Sequence, residues 1–143
     1  MDGSKVSRFD EGAYMSIAAM IDQIKGHPDY NKAGMILCHN GVVRATSRQG
    51  DEVTGLEIKV DHSRLDEIIK EQKKRQGIVE ILVRINEGKP LAVGDDVMYL
   101  VVAGDIRETV ISTLTDTLNL IKSQVTSKKQ YFKGQGHDRF YAS

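Results

Sequence analysis

Apolar residues recur along the chain in two patterns, and segments of the two kinds follow one another in a regular order. Steps of three and four residues, which are typical of an amphipathic helix, occur in residues 14–25, after Asp61, and in a long segment that starts at Gly104. The segments between them are short apolar or alternating runs, which indicate strands. The helix-strand order, α followed by β-β-α-β-β-α, predicts a two-layer α+β sandwich with a mostly antiparallel sheet. The predicted strands cover residues 33–40, 53–60, 78–85 and 97–103.

Glycine and small polar residues mark the ends of these elements. Gly26 follows the first helix and Gly77 follows the second, and glycine is a common residue just after a helix. Asp61 or Ser63 can cap the second helix. Turns or exposed loops are expected at residues 41–51, 87–90 and 94–96.

The longest predicted element is the helix that follows Gly104. Its apolar side chains form one stripe, which is expected to face the core. Asp105 lies where an N-cap belongs, and Glu108 follows three residues later as in a capping box. Several threonines lower the helix propensity of this segment, so packing must stabilise it. The stripe consists of Val110, Ile111, Leu114, Leu118 and Ile121.

The same segment carries cations at both ends. Arg107 lies in the first turn, and Lys122 and Lys129 follow near the C-terminal end. These lysines are seven residues apart, so a continuing helix would place them on one face. A loop that begins near Thr126 would bring them together equally well. Such lysines can bind an anionic group, or they can complement the helix dipole and stay solvated.

A glycine and an arginine after the first buried strand form a second candidate for anion binding. Gly41 lets the backbone approach a ligand, and Arg44 offers a planar guanidinium group that fits a carboxylate or phosphate. A solvated loop arginine is the competing interpretation. Arg48 in the same loop is the weaker candidate.

Composition limits the classes of protein that fit these patterns. The chain has 143 residues, of which 40% are hydrophobic and 28% charged, which predicts a single domain over residues 1–143. Within it, residues 1–12 and 134–143 are expected to be flexible. The formal net charge is zero, which argues against a general nucleic-acid binder. From Lys122 onward, five lysines or arginines face one acid, Asp138, so an anionic partner fits this end only.

The sequence predicts no membrane, metal or cofactor site. No apolar run approaches the roughly 20 residues that span a bilayer, and residues 1–16 lack the apolar core of a signal peptide, so the chain is expected in the cytoplasm. Four scattered histidines form no metal-binding pattern, and no glycine-rich phosphate loop occurs. Cys38 is the single cysteine, and its apolar neighbours predict a buried structural thiol.

Four features occur together in a specific order. They are Gly-x-Val-Arg after a buried strand, a turn and strand at residues 93–96, an arginine that opens the long helix, and Lys122 with Lys129. In this order the chain resembles the large, catalytic subunit of molybdopterin synthase, over about residues 33–133. The resemblance implies an α/β hammerhead-like α+β subunit that forms a homodimer.

The resemblance also implies a reaction and a partner. In that family each large subunit receives the C-terminal tail of a small ubiquitin-like subunit, whose terminal glycine is a thiocarboxylate. Sulfur is transferred twice to cyclic pyranopterin monophosphate, which gives the dithiolene of molybdopterin. The chain is therefore expected to be the catalytic sulfurtransferase subunit of a heterotetramer, with no cofactor of its own.

Four residues receive roles through the resemblance. Lys122 and Lys129 match the two active-site lysines of the family, which implies catalysis and handling of the tail. Arg44 and Arg107 match arginines that bind the substrate anion, and a guanidinium group can hold a phosphate through two hydrogen bonds.

Four other positions depart from the family pattern. The family has histidine, proline, tryptophan and glutamate where this chain has Ile106, Thr126, Lys128 and Tyr131. The expected pocket therefore lacks an aromatic wall and an acid. A second hypothesis follows, in which a non-catalytic relative binds an anionic ligand or a partner's C-terminal tail in the same pocket. In a third, the lysines are only solvated charges and the four cations do not meet.

Overall fold

The computed structural model of the protein describes residues 16–134 and 138–142. Within these ranges it has three α-helices, a short 3-10 turn at Tyr30–Lys32 and seven strands. The helices are α1 (Ile17–Lys25), α2 (His62–Lys73) and α3 (Arg107–Gln124). The strands are β1 (Met35–Val42), β2 (Val53–Val60), β3 (Ile78–Ile85), β4 (Leu91–Ala92), β5 (Asp96–Gly104), β6 (Thr126–Phe132) and β7 (Asp138–Ala142).

The described strands form two sheets, and every pairing in them is antiparallel. One sheet has the order β1-β5-β3, and the other has the order β4-β2-β6-β7. The predicted α+β class with antiparallel pairing is confirmed. The structure differs in dividing the strands between two sheets, because β2 pairs with β4 and β6 and not with its neighbour in sequence, β1.

Strand β5 is the centre of the core because both of its faces are covered. Leu100 and Val102 belong to the cluster that includes α2 and α3, whereas Val101 and Ala103 pack with α1. All four side chains have an exposed fraction of 0%. Successive residues of a strand point to opposite faces, so an uninterrupted apolar run is what a strand covered on both sides needs.

Polar side chains cap the N-terminal ends of the first two helices. The hydroxyl oxygen of Ser16 accepts a hydrogen bond from the amide of Ala19 at 3.1 Å, which caps α1. A carboxylate oxygen of Asp61 accepts one from the amide of Arg64 at 3.0 Å. Asp61 is therefore the N-cap of α2, and of the two predicted caps, Asp61 and Ser63, the first is found.

The start of α3 differs from the prediction. The N-cap residue is Ile106, which offers no side-chain cap. Asp105 does not cap the helix, because its Oδ1 accepts a hydrogen bond from the amide of Ile106 at 2.7 Å, one residue before the helix begins. Gly104 lets the backbone pack closely here, since a Cβ at this position would lie 2.8 Å from both the carbonyl oxygen of Gly77 and a methyl of Val110.

The buried face of α3 is also shifted from the predicted stripe. Val110 and Ile121 are fully buried as expected, but Ile111 is 45% exposed. Thr113 and Thr117 take the central positions of the buried face, each with an exposed fraction of 0%. The buried face of α3 thus includes threonines. A prediction from apolar residues alone therefore placed this face wrongly by part of a helical turn.

The chain after α3 forms a strand, and neither the predicted helix continuation nor the predicted loop is found. Strand β6 pairs with β2 on one side and with the backbone of β7 on the other. Residues 134–143 were expected to be flexible, yet the backbone of residues 138–142 is paired as β7. Residues 1–12, 135–137 and 143 lie outside the described residues.

Cys38 is exposed, so the prediction of a buried thiol is wrong. It lies on β1, which is at the edge of its sheet, and its face is only partly covered. The protein still surrounds the sulfur enough that burial raises the pKa of the Cys38 thiol. A raised pKa disfavours the reactive thiolate.

Candidate functional site: a cationic pocket between the sheets

A cavity of about 640 Å³ opens between the two sheets, beside the C-terminal half of α3. Its volume falls in the range of roughly 300–1,000 Å³ that is usual for small-molecule sites. Strands β1, β3 and β5 contribute one wall, and β2 and β6 contribute the other. The loop between β1 and β2 reaches its mouth.

The inner wall of the cavity is apolar. Leu56 and Ile58 line it from β2, Ile85 from β3, and Met98 from β5. These side chains have exposed fractions of 1–7% and belong to the main core. The wall is therefore rigid and suits a ring system or other weakly polar body.

The opposite part of the cavity is cationic. Lys122 reaches it from the last turn of α3, Lys128 from β6, and Arg48 from the β1–β2 loop. None of the described lining residues is an aspartate or glutamate. The positive charge is thus not compensated from within the lining, and an anionic ligand would relieve the repulsion.

The loop that carries Arg48 is held by its own hydrogen bonds. The amide of Ser47 donates to the carbonyl of Asp51 at 2.8 Å, and the amide of Asp51 donates to the hydroxyl of Ser47 at 3.1 Å. Ser47 itself is 4% exposed. Gly50 closes the turn with φ of 91°, a conformation that favours glycine. The loop therefore presents the arginine from a defined position.

Arg44 lies in the same loop but is not among the residues that line the cavity. Its Nε donates a hydrogen bond to the carbonyl of Thr46 at 2.8 Å, which holds the side chain along the loop. Its charge nevertheless acts on Lys128. Arg44 is thus near enough for its charge to affect Lys128, although its side chain does not line the cavity.

The concentration of positive charge affects the pKa values of two side chains. Burial lowers the pKa of the Lys128 ammonium group, and the charges of Lys122, Arg48 and Arg44 lower it further. Burial, followed by the charge of Lys122, also lowers the pKa of His39 on β1. Perturbed groups of this kind cluster at functional sites, where the charge is placed for a ligand rather than for stability.

Lys129, the lysine expected to act together with Lys122, lies on the face of β6 opposite to that of Lys128. Lys129 is opposite Glu57 of β2 in the strand register, and its Nζ lies 5.4 Å from the centre of the Tyr131 ring. The Tyr131 hydroxyl donates to a carboxylate oxygen of Glu57 at 3.3 Å. Lys128, one residue earlier, faces the cavity. Of the described side chains it is therefore Lys128, and not Lys129, that joins Lys122 in the lining.

Arg107 lies at the other end of α3 from Lys122. About four helical turns separate them, which is roughly 22 Å at 1.5 Å per residue. The Arg107 side chain is 77% exposed, and its Nε lies 3.7 Å from a carboxylate oxygen of Glu108. Arg107 does not line the cavity that Lys122 enters.

Of the predicted site residues, Lys122 lines the cavity, whereas Arg44, Arg107 and Lys129 do not. Arg48, the weaker candidate in the sequence, and Lys128, which received no role there, also line it.

Thr126, Lys128 and Gln130 alternate along β6, and all three line the cavity. Recognising residues 126–132 as a strand would have placed Lys128 and Lys129 on opposite faces, but the sequence of β6 does not tell which face lines the cavity.

Two other kinds of site were sought among the described residues. In residues 16–134 and 138–142, no group of three or more His, Cys, Asp or Glu could hold a metal ion. In the same part of the chain, no helix is both long and apolar enough to cross a membrane.

Comparison with known proteins identifies the family. A sequence model of the MoaE protein family matches residues 11–124. A curated relative from Haloferax volcanii, named "Probable molybdopterin synthase", is 27% identical over 137 residues that cover 88% of this chain. The chain spans about half, 51%, of the length of that relative.

Solved structures share the fold. A molybdopterin synthase from Staphylococcus aureus aligns with a TM-score of 0.73 and 15% identity, over 100% of this chain and 99% of that one. One chain of a Helicobacter pylori complex, of subunits 1 and 2 of molybdopterin-converting factor, aligns with a TM-score of 0.65 and 13% identity, over 92% and 86%. Because the family sequence model covers most of the chain, the protein belongs to the MoaE protein family, and its resemblance to the large subunit of molybdopterin synthase is confirmed.

Proposed function

We propose that the chain is the catalytic large subunit of a molybdopterin synthase. It transfers sulfur from the C-terminal thiocarboxylate of a small subunit to cyclic pyranopterin monophosphate. The observation that carries the proposal is the cavity lined by Arg48, Lys122 and Lys128 without a carboxylate. The names of the Haloferax volcanii and Staphylococcus aureus relatives support the reaction. The Helicobacter pylori complex of two subunits supports a small-subunit partner.

The pocket suits the chemistry because both reactants carry negative charge. A thiocarboxylate and a cyclic phosphate cannot share a small cavity unless cations balance them. The apolar wall offers a surface for the ring system, and the cationic side offers contacts for the two anions. In each transfer the C–S bond of the tail breaks and a C–S bond forms at an acceptor carbon, which loses its bond to oxygen. Water supplies the oxygen that turns the acyl end of the tail into a carboxylate.

Lys122 is the residue that we assign to the reacting atoms. It extends from the last turn of α3 into the cavity, and its charge acts on both His39 and Lys128. An ammonium group at that place stabilises the negative charge that develops when the sulfur leaves the acyl carbon. Arg44, whose charge also acts on Lys128, is assigned to the substrate anion. The role that the resemblance gives to Lys129 in handling the tail stays a prediction.

We further propose that the chain acts as a homodimer and assembles with small subunits into a heterotetramer. Arg107 is remote from the cavity of its own chain, so it can bind substrate only in the pocket of a second copy. Two neighbouring apolar side chains support a contact there, since Ile106 is 55% exposed and Ile111 is 45% exposed. The cytoplasmic location also stays a prediction.

A non-catalytic binding module is the second candidate function. Ile106 replaces the family histidine with an exposed apolar side chain, and Lys128 replaces the family tryptophan in the cavity lining. Both changes remove groups that the family uses. Such a module would keep the cationic pocket and bind a tail or an anion without sulfur transfer.

A reconstituted reaction tests the proposal. The purified chain is mixed with a thiocarboxylated small subunit and cyclic pyranopterin monophosphate, and the product is measured by mass spectrometry. We expect the acceptor to gain two sulfur atoms while the tail becomes a carboxylate. A stable complex that yields no product would favour the binding module. Neither complex nor product would contradict both functions.

A further inference from the structure

Strand β6 directs one of its two adjacent lysines into the cavity. Lys128 lies between Thr126 and Gln130 on the face that lines it, and its partner in the strand register is Ile58 of the apolar wall. Lys129 belongs to the other face, with Glu57 and Tyr131. The side chain at the family's tryptophan position is thus a cation at the junction of the apolar and cationic walls.

Arg48 approaches the same place from a different element. It is exposed at the mouth of the cavity, on the loop that the hydrogen bonds of Ser47 and Asp51 hold. Its charge is close enough to Lys128 to help lower the pKa of the ammonium group. Two cations from separate elements therefore converge, although their mutual repulsion opposes this arrangement.

Their chemistry is complementary. A guanidinium group binds a carboxylate or phosphate through two parallel hydrogen bonds, while an ammonium group acts as a compact point charge. Together they can hold an oxyanion at a fixed orientation, with the apolar wall behind it. Lys122 then remains available to the reacting atoms.

We propose that Arg48 and Lys128 form an oxyanion subsite in the cavity that Lys122 also lines. The anion is either the carboxylate-type end of a peptide tail or the phosphate of a small-molecule acceptor. The proposed function is needed only to name these two sources of the anion. The convergence of Arg48 and Lys128 does not depend on that function.

Binding of small probes tests the subsite. The first probe is a hexapeptide that ends in Gly-Gly with a free carboxylate, compared with the same peptide as its C-terminal amide. The second is inorganic phosphate. Dissociation constants are measured by NMR titration of backbone amides, in the wild-type chain and in the Lys128→Met and Arg48→Gln variants. The same spectra show whether each variant is folded.

Matched variants separate the role of position from that of charge. Lys128→Arg and Arg48→Lys keep the positive charge and should retain most of the affinity. Lys129→Met removes the adjacent lysine, which lies on the other face of β6. Lys70→Met removes an exposed lysine of α2, away from the cavity, and serves as the control.

We expect Lys128→Met and Arg48→Gln each to weaken probe binding about tenfold or more, since each removes a charge-assisted contact. Lys70→Met should change the binding of either probe less than about twofold, and Lys129→Met should change phosphate binding less than about twofold. If the variants lose affinity only for the carboxylate peptide, the bound anion is the end of the tail. If they lose affinity only for phosphate, the bound anion is the phosphate of the acceptor. The inference is overturned if Lys129→Met weakens phosphate binding as much as Lys128→Met does, or if the amide peptide binds as well as the acid and phosphate does not bind.

The sulfur-transfer assay distinguishes the two proposals. If the wild-type chain makes no product but Lys128→Met still weakens probe binding, the proposed function fails and the subsite stands. If the wild-type chain makes product and both variants match it in product formation and in probe binding, the subsite fails and the proposed function stands.

Discussion

The two sheets of the molecule place their side chains for different purposes. In the sheet β1-β5-β3, the residues of β5 from Met98 to Gly104 are all buried, and apolar side chains cover both faces. In the sheet β4-β2-β6-β7, β6 alternates and carries a lysine on each face. The first sheet holds the centre of the core, whereas β6 of the second sheet directs a charged side chain into the cavity.

That difference explains how the pocket can exist. Bringing Lys122, Lys128 and Arg48 to one cavity costs free energy, both from burial and from repulsion. The apolar wall behind them belongs to the main core, whose burial offsets this cost. These cationic side chains therefore extend from α3, β6 and the β1–β2 loop into a cavity at the edge of the main core.

Replacing the centre of β5 should have the largest effect on stability. Leu100→Ala removes a side chain with an exposed fraction of 0% and leaves a cavity, so the free energy of unfolding should fall by about 2–5 kcal/mol. Urea unfolding at one fixed protein concentration measures it. A loss below about 1 kcal/mol would mean that β5 is not the centre of the core.

Removing the charge of Glu80, which lies in β3 of the same sheet, should have a smaller effect on the free energy of unfolding. Glu80 of β3 lies 2.7 Å from the ammonium group of Lys73 in α2 and 3.8 Å from Nε2 of His27. Glu80→Gln should lower the free energy of unfolding by about 1–2 kcal/mol, because the carboxylate is largely enclosed. The exposed pair of Glu71 and Lys74 is the matched control, and Glu71→Gln should cost less than about 0.5 kcal/mol.

The pocket should respond to acid through His39. Burial and Lys122 lower the pKa of this imidazole below its ordinary value of 6.5, so the unfolded chain binds the proton more readily. The resulting loss of stability is absent well above pH 6.5, grows as the pH falls through that value, and is complete below the lowered pKa. Relative to the wild type, His39→Gln should therefore gain stability as the pH falls from 7.5 to 5. If the difference in the free energy of unfolding between His39→Gln and the wild type stays constant over this pH range, His39 does not titrate as the structure implies.

The smallest effect on stability is expected at Lys128. Lys128→Met removes a half-buried charge from among three other cations, so the free energy of unfolding should stay unchanged or rise slightly. Thermal unfolding at neutral pH checks this. A loss of more than about 1 kcal/mol would show that Lys128 stabilises the fold, and would contradict the contrast between the two sheets.

Much of the first sheet could be predicted because its pattern is local. The run 78–85 matches β3, and the run 97–103 falls within β5, since strands covered on both faces need continuous apolar residues. Asp61 was also predictable as a cap. In contrast, residues 126–132 contain few apolar side chains, and they form a strand because β2 and β7 lie on either side.

The site was only partly predictable for the same reason. Lys122 and Arg44 follow from the resemblance, but only Lys122 lines the pocket. Whether Lys128 or Lys129 faces inward depends on the register of β6 against β2, which the sequence of β6 alone does not determine. Arg107 shows the limit of assigning roles by resemblance, because matching residue types do not tell which copy of the chain supplies them.

The most direct measurement is the single-turnover rate of sulfur transfer by the wild-type chain and by Lys122→Met, each saturated with thiocarboxylated small subunit. We expect the variant to bind the small subunit and remain folded, while the rate falls by about 100-fold or more. Equal rates for the two chains would contradict the assignment of Lys122 to the reacting atoms, and with it the proposal that this cationic pocket is the catalytic site.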